Sequence, residues 1–406
     1  MSLVLNTNIS SLQAQNNLNK SSSELNTATE DLSSGLKINS AADNAAGFAI
    51  ATRFQTQIGG LSQASQNASD AINLAQTAGS ALTQVTSNLQ SIRDLAVQAA
   101  NGTFQSSDRA AINTSVQQFL SEITRIANQT SFNGTNVLNG STSSLSFQIG
   151  ANVGQTINLT LGQGVTTGQM GQISEVSTAN LSGDFVDASG NATTLDLSTI
   201  SISGANGASV TLSGTATSAQ DVADAINATG LSGVSAAVNA SGGVNIFSAG
   251  SLAVSGGAAS STSVAGSGGG LLASATYNGV TGAAGSATTT GTYSAGNSIA
   301  AGGSLQGSDV LTVDDANQLI SRIDAALTAV STFSSNLGAV QNRFQSTIAT
   351  LGAQQTNLTA SQSSIQDTDF AAETAKLSQS QVLQQAGISV LATANSQSQS
   401  ILKLLQ

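Results

Sequence analysis

Apolar residues in the first third of the chain return every three or four positions. Ala75, Ala78, Leu82, Val85, Leu89, Ile92, Ala96 and Ala99 keep that alternation unbroken, which is the seam of a coiled coil. Asn101-Gly102 ends the run. Ser106-Ser107-Asp108 then supplies a new helix start, after which Ile112, Val116, Phe119, Ile123 and Ile126 resume the rhythm. The opening stretch is looser: it carries Leu5, Ile9 and Leu12, then Leu18, Leu25 and Leu32 at seven-residue spacing. The far end mirrors the first. Thr312 with Asp315 reads as a capping box, and Ile323, Leu327, Val330, Leu337, Phe344, Ile348, Leu351 and Leu358 hold heptad positions. A last stripe carries Phe370, Leu377, Ile388, Leu391, Leu402 and Leu405, interrupted by Gln381, Gln384, Asn395 and Ser398. Polar residues in a seam cost stability and can set register.

A long helix cannot bury such a stripe alone, so the ends need partners. The simplest arrangement pairs N-terminal with C-terminal helices, with the middle inserted between them. From the pattern alone, the stripes at the extreme ends are either the core of an isolated helical hairpin or an assembly seam between copies of the chain.

The middle switches to period two. Asn133-Gly134 and Asn139-Gly140 are turn signals. Leu145, Phe147 and Ile149 alternate, as do Ile157, Leu159 and Leu161, predicting a hairpin. Short strands are expected at Leu195–Leu197, Ile200–Ile202, Val210–Leu212, Val234–Val238 and Val244–Phe247, with a short helix over Val222 and Ile226 capped by Ser218 and Asp221. From about 249 to 307, Gly, Ala, Ser and Thr dominate, which reads either as a loose surface β domain or as disordered loops. The predicted fold class is therefore mainly α at the ends, with long coiled-coil helices and a helical bundle bearing a β-hairpin, and an inserted β-rich (α+β) outer domain.

Composition narrows the chemistry. The 406 residues include no His, Cys, Trp or Pro. Without His or Cys there is no imidazole base, thiolate nucleophile or soft metal site, and the four lysines, Lys20, Lys37, Lys376 and Lys403, all lie in terminal helical segments. An enzyme, a cofactor site and a metal site are not expected. The net charge is −11, and no cation lies between Arg125 and Arg322, so neither nucleic acid nor an anionic membrane is an expected partner. The opening MSLVLNTNISSL lacks a basic start, and no run is long and apolar enough to span a bilayer. These absences fit a cytosolic protein, or one exported without a cleaved signal peptide.

The ends resemble one family. VLNTNISSLQAQNNLN (4–19), LSSGLKINSAADNAAGFAIA (32–51), LQSIRDLAVQAANGT (89–103) and TSFNGTNVLNG (130–140) carry the N-terminal resemblance; NRFQSTIATL (342–351) and DTDFAAETAKLSQSQVLQQAGISVLATANSQSQSILKLL (367–405) carry the C-terminal one. They are similar to bacterial flagellin, the subunit of the flagellar filament. Residues 218–249 resemble a repeat found in flagellin and hook-protein insertions, whereas the rest of 180–308 resembles nothing specific.

The resemblance implies a structural subunit that polymerises into an extracellular filament, the propeller for swimming. It implies an inner coiled-coil layer from 1–43 and 361–406, a bundle with hairpin from 44–178 and 308–360, and a variable outer domain from 179–307. The expected partners are other copies of the chain, the flagellar export chaperone, the filament cap and the hook–filament junction proteins. Export through the flagellar type III apparatus would account for the missing signal peptide, and a chain free of Pro and Cys avoids slow isomerisation and crosslinks.

Members recognised by the Toll-like flagellin receptor typically carry Leu-Gln-Arg-x-Arg-Glu-Leu. Here Leu89, Gln90, Arg93, Asp94 and Leu95 match that patch, but Ser91 replaces a basic residue and Ser115 stands where Glu is common, which implies weakened recognition. Asp367 and Asp369 read as first-turn helix acids rather than as a cation site. The Ser- and Thr-rich middle reads either as a bare solvated surface or as one bearing O-linked glycans, as in some members. A metalloprotease insertion is excluded by the lack of His. A hook–filament junction protein and a surface adhesin are the alternative readings.

Overall fold

The computed structural model describes residues 8–162, 164–186, 192–204, 207–256, 276–281, 289–292 and 299–404. It divides into two compact units: Met1–Ser69 with Gln148–Thr156 and Gln345–Gln406, and Asp70–Phe147 with Ile157–Phe344. The helices are α1 (Ile9–Ser34), α2 (Ala45–Ala99), α3 (Ser106–Gln129), α4 (Ala219–Ala228), α5 (Val313–Gln366) and α6 (Phe370–Leu404). Both α2 and α5, of 55 and 54 residues, run through the two units.

In the second unit the α2 heptad residues, from Ala75 to Ala99, are all almost completely buried. They share one core with Ile112, Val116, Leu120, Ile123 and Ile126 of α3 and with Leu319, Ile323, Val330 and Leu337 of α5. Leu120 takes the fully buried place expected for Phe119, which packs at the edge of the core. The helix ends follow the sequence signals. Thr312 N–H donates to the Asp315 carboxylate at 3.1 Å and Asp315 N–H to Thr312 Oγ1 at 3.0 Å, a reciprocal cap that starts α5. Arg109 sits buried beneath the end of α2, its Nε donating to Ala99 O at 2.8 Å and its Nη2 to Asn101 O at 3.0 Å. A cation satisfying the last carbonyls complements the helix dipole and ties the α2–α3 turn together.

Strands 144–148 and 156–160 pair as the expected hairpin, and Phe147 meets Phe344 edge to face at a centroid distance of 5.7 Å. Asn133 (φ 49°) and Gly134 (φ 78°) form the turn between strands 131–132 and 135–136, a left-handed pair that Asn-Gly accommodates at low cost.

The inserted domain has its own core. An antiparallel sheet orders strands 234–238, 244–248, 174–177, 276–281 and 289–292, and a smaller one orders 253–255, 201–203 and 209–211. Val222, Ala223 and Ile226 of α4 join Val176, Val244, Ile246 and Val254 in this core. Ser218 caps α4 as expected, accepting from Asp221 N–H. One sequence expectation is corrected: Leu197 lies in a 3-10 turn, Leu197–Thr199, rather than in a strand. The Asp196 carboxylate accepts from Ser198 N–H at 2.9 Å, which turns the chain after two strand residues. Much of the Gly-, Ala-, Ser- and Thr-rich stretch, 257–275, 282–288 and 293–298, lies outside the described residues.

In the first unit Leu61, Ala64 and Leu351 form a small core with Leu358 packed against it. A Cβ at Gly60 would meet the Ala151 Cβ at 2.9 Å, so the glycine is what lets the hairpin tip approach α2 closely.

Candidate assembly interface

The first unit brings the two ends of the chain together. At their root, Gly35 (φ 74°) ends α1 in the left-handed conformation. The next residues pair with the α5–α6 junction: Lys37 N–H donates to Gln366 O at 2.7 Å and Thr368 N–H to Gly35 O at 3.0 Å. Asp369 caps α6 by accepting from Ala371 N–H at 2.9 Å, whereas Asp367, expected in the first turn of a helix, lies just past the end of α5, bridged to Leu36 and accepting from Ser363 Oγ.

From that root α1 and α6 run as a pair, joined along a regular heptad. On α1 the seam is Ser11, Ala14, Leu18, Ser21, Leu25, Ala28 and Leu32; on α6 it is Glu373, Leu377, Ser380, Gln384, Gly387, Leu391 and Ala394. Small residues alternate with larger ones. A Cβ on Gly387 would stand 3.3 Å from Leu18 Cδ1, so the backbones approach closely there. Ser21 Oγ donates to Ser380 O at 3.0 Å, Asn8 Nδ2 to Ala394 O at 3.0 Å, and Ser11 Oγ to Asn395 Oδ1 at 2.8 Å. Leu18, Leu25, Leu32, Leu377 and Leu391, expected in the seam, are half-buried in this pair. Ala14, Ser21 and Ala28, not among the expected residues, are buried, and they repeat at the same seven-residue spacing.

The other expected seam residues lie elsewhere. Ile9 is 65% exposed, Leu12 50%, Phe370 58% and Ile388 55%, and Val382, Leu383 and Val390 on α6 are equally open. Leu402 lies on α6, while Leu5 and Leu405 fall outside the described residues. The pair therefore carries large apolar side chains that the chain itself leaves uncovered.

Charge is concentrated at the root. Asp31 is only 6% exposed, its Oδ1 reached by Asn39 Nδ2 at 3.4 Å. Burial pushes its carboxyl above the usual carboxylate range, Glu373 adds to the rise and Lys376 opposes it. Lys376 Nζ itself pairs with Glu373 at 3.1 Å.

The candidate receptor patch lies on α2 in the second unit. Leu89 faces the core and is fully buried, Gln90 and Asp94 are exposed, and Leu95 is half-buried. Arg93 Nε donates to Asp324 Oδ1 of α5 at 2.7 Å and Nη2 to Oδ2 at 3.4 Å, so that cation is engaged across the bundle surface.

Two family models match the chain: the bacterial flagellin N-terminal helical region at residues 5–143 and the bacterial flagellin C-terminal helical region at residues 320–405. The chain is 37% identical to the B-type flagellin of Pseudomonas aeruginosa, with the whole of both chains covered. It belongs to the bacterial flagellin family. Flagellin A of Vibrio anguillarum is 38% identical, again over the whole of both chains. Among solved structures, FliC of Burkholderia pseudomallei covers 67% of this chain and 99% of its own at 27% identity, with a TM-score of 0.38. Membership is carried by the full-length sequence matches. As a flagellin the chain is a structural subunit of the flagellar filament, and the two family models match its helical ends.

Proposed function

We propose that neighbouring copies in the filament cover the apolar residues left open on the α1–α6 pair, and that this burial drives polymerisation. One observation carries the reading: Ile9, Leu12, Phe370, Val382, Leu383, Ile388 and Val390 are exposed beside a seam whose own buried positions are small. Exposed large apolar residues gathered on one element mark an interaction surface, and covering each contributes roughly 1.5–3 kcal/mol. Leu18, Leu25, Leu32, Leu377 and Leu391 would hold the pair in register.

On this reading 1–43 and 361–406 form the inner layer of the filament, 44–178 and 308–360 the next, and 179–307 the outer domain. The chain works outside the cell, as part of the filament, and without catalysis. Its partners are other copies, the export chaperone, the filament cap and the junction proteins. Gln90, Arg93, Asp94 and Leu95 would offer a weakened surface to the Toll-like flagellin receptor; in a reporter-cell assay Ser91→Arg should raise the response, and no gain would dismiss that patch.

The test of the main reading is a Val382→Ser, Ile388→Ser double variant seeded with filament fragments. Both residues are exposed in the single chain, so its melting should stay within about 0.5 kcal/mol of wild type. Elongation should fail. Normal growth would show that these residues are not the contact.

A further inference from the structure

The chain carries ten cations, and among the described residues two of them are buried: Arg109, which closes the end of α2, and Arg322. Arg322 on α5 is 6% exposed. It lies against the two strands through which the inserted domain leaves the bundle and returns. These strands pair with each other: Ile173 N–H donates to Gly302 O at 3.1 Å, Gly302 N–H to Ile173 O at 2.8 Å, Leu305 N–H to Met170 O at 3.0 Å and Gln306 N–H to Thr167 O at 3.1 Å. Together they form a neck.

Arg322 Nη1 donates to one carbonyl on each strand, Gly171 O at 3.3 Å and Ser304 O at 3.0 Å. Both strands carry a glycine where they cross it. A Cβ on Gly303 (φ +71°) would stand 2.6 Å from Nη1, and one on Gly171 (φ +72°) would stand 3.0 Å from the Arg322 backbone oxygen. Among the described residues Nε has no acceptor, so the guanidinium is placed by its reach to the two carbonyls rather than by full satisfaction of its donors. Glu175, itself buried, supplies the nearby counter-charge and accepts from Gln318 Nε2 at 2.6 Å.

The rest of this docking face is polar as well. Asp314 accepts from Ala240 N–H at 3.0 Å, and Ser321 Oγ meets Ser235 Oγ at 3.2 Å, so one stripe of α5 meets the inserted domain through hydrogen bonds. Met170 and Leu305, by contrast, are buried in the bundle core and hold the base of the neck without help.

We propose that Arg322 is a positioning residue that clamps both strands of the neck to α5 and so fixes the angle at which the inserted domain leaves the bundle. A methionine would fill the same space without the desolvation cost. It would offer no donor, whereas the two hydrogens of Nη1, carried on a long side chain, tie two separate carbonyls to one helix position. Loss of the clamp frees the angle and leaves the attachment.

The chain has no cysteine, so two introduced ones give unique spin-label sites. Gln118→Cys on α3 and Ala228→Cys at the end of α4 are both exposed and report the distance from bundle to inserted domain by electron–electron dipolar spectroscopy. The background pair should give one narrow distance. Arg322→Met combined with Glu175→Gln removes both charges, so no unpaired ion is left behind. The expected result is an unchanged bundle melt, loss of the single narrow distance, and exchange of the Ile173, Gly302 and Leu305 amides faster by about tenfold or more. Arg322→Gln alone, which stays polar but is too short to reach the two carbonyls, should do the same and decides the matter if the double variant does not fold. A distance as narrow as wild type in whichever of these variants folds overturns the clamp.

Discussion

The seam of α2 and the seam joining α1 to α6 share a heptad spacing and differ in what occupies it. In α2 the sequence Leu82, Val85, Leu89, Ile92 is almost wholly buried within the chain's own core. Between α1 and α6 the buried positions are Ala14, Ser21, Ala28 and Ser380, and the larger residues of that region stand half or fully open. A buried leucine contributes about 1.5–3 kcal/mol, whereas alanine and serine remove little apolar surface from water. One region is therefore finished within a single chain. The other is a close-approach pair, held by short side chains and bonds to backbone carbonyls, with its apolar surface still to be covered. The same periodicity serves folding in the first case and, as proposed above, assembly in the second.

That contrast can be broken most completely by shortening the pair. Removing Ser398–Gln406 should leave the bundle melt untouched and abolish filament growth from seeds; growth at the normal rate would mean that the end of α6 is dispensable. The bundle should answer to large-to-small changes instead. Leu89→Ala, at a position with no exposure, should cost about 2–5 kcal/mol in denaturant unfolding, and a cost under about 0.5 kcal/mol would contradict the core assignment. In the terminal pair the sensitive direction is the opposite one. Gly387→Leu should overpack the contact with Leu18 and cost about 1–3 kcal/mol in the melting of the terminal helices, seen by circular dichroism.

The smallest expected effect is a pH dependence at the root. The folded Asp31 carboxyl lies above its ordinary range because burial and Glu373 disfavour its charge. Its contribution is therefore fully present below the unfolded pKa and is lost as pH rises through the folded one. The terminal pair should melt higher as pH falls from neutral toward about 4. Asp31→Asn should flatten that trend and raise the neutral-pH melt. A variant as pH-sensitive as wild type would place the titrating group elsewhere.

Much of this was legible before the structure. Heptads spaced from Ala75 to Ala99 and from Ile323 to Leu351, the Thr312–Asp315 cap, the Asn133-Gly134 turn and the Ser218 cap are local patterns, and local patterns survive because helices and turns answer mainly to near neighbours in the chain. What escaped were features made by residues far apart in sequence. Ala14, Ser21 and Ala28 look unremarkable until Gly387 and Ser380 show why small side chains are wanted. Arg93 and Leu89 both sit in the candidate receptor motif, yet Arg93 pairs with Asp324, far off in sequence, and Leu89 faces inward. Arg322 carried no motif at all; its role depends on Gly171 and Ser304, which the sequence separates by more than a hundred residues.

By itself, then, the sequence determined that the ends are helical, that the middle is an insertion, and that catalysis by His or Cys is out of reach. It did so because periodicity and composition are properties of the chain alone. Only the tertiary structure decided which apolar residues the chain buries and which it leaves for others, because burial depends on where the opposite end of the chain arrives. For α1 that end is α6, and the close fit buries Ala14, Ser21 and Ala28, keeps the seam leucines half-buried and leaves Ile9 and Leu12 facing out.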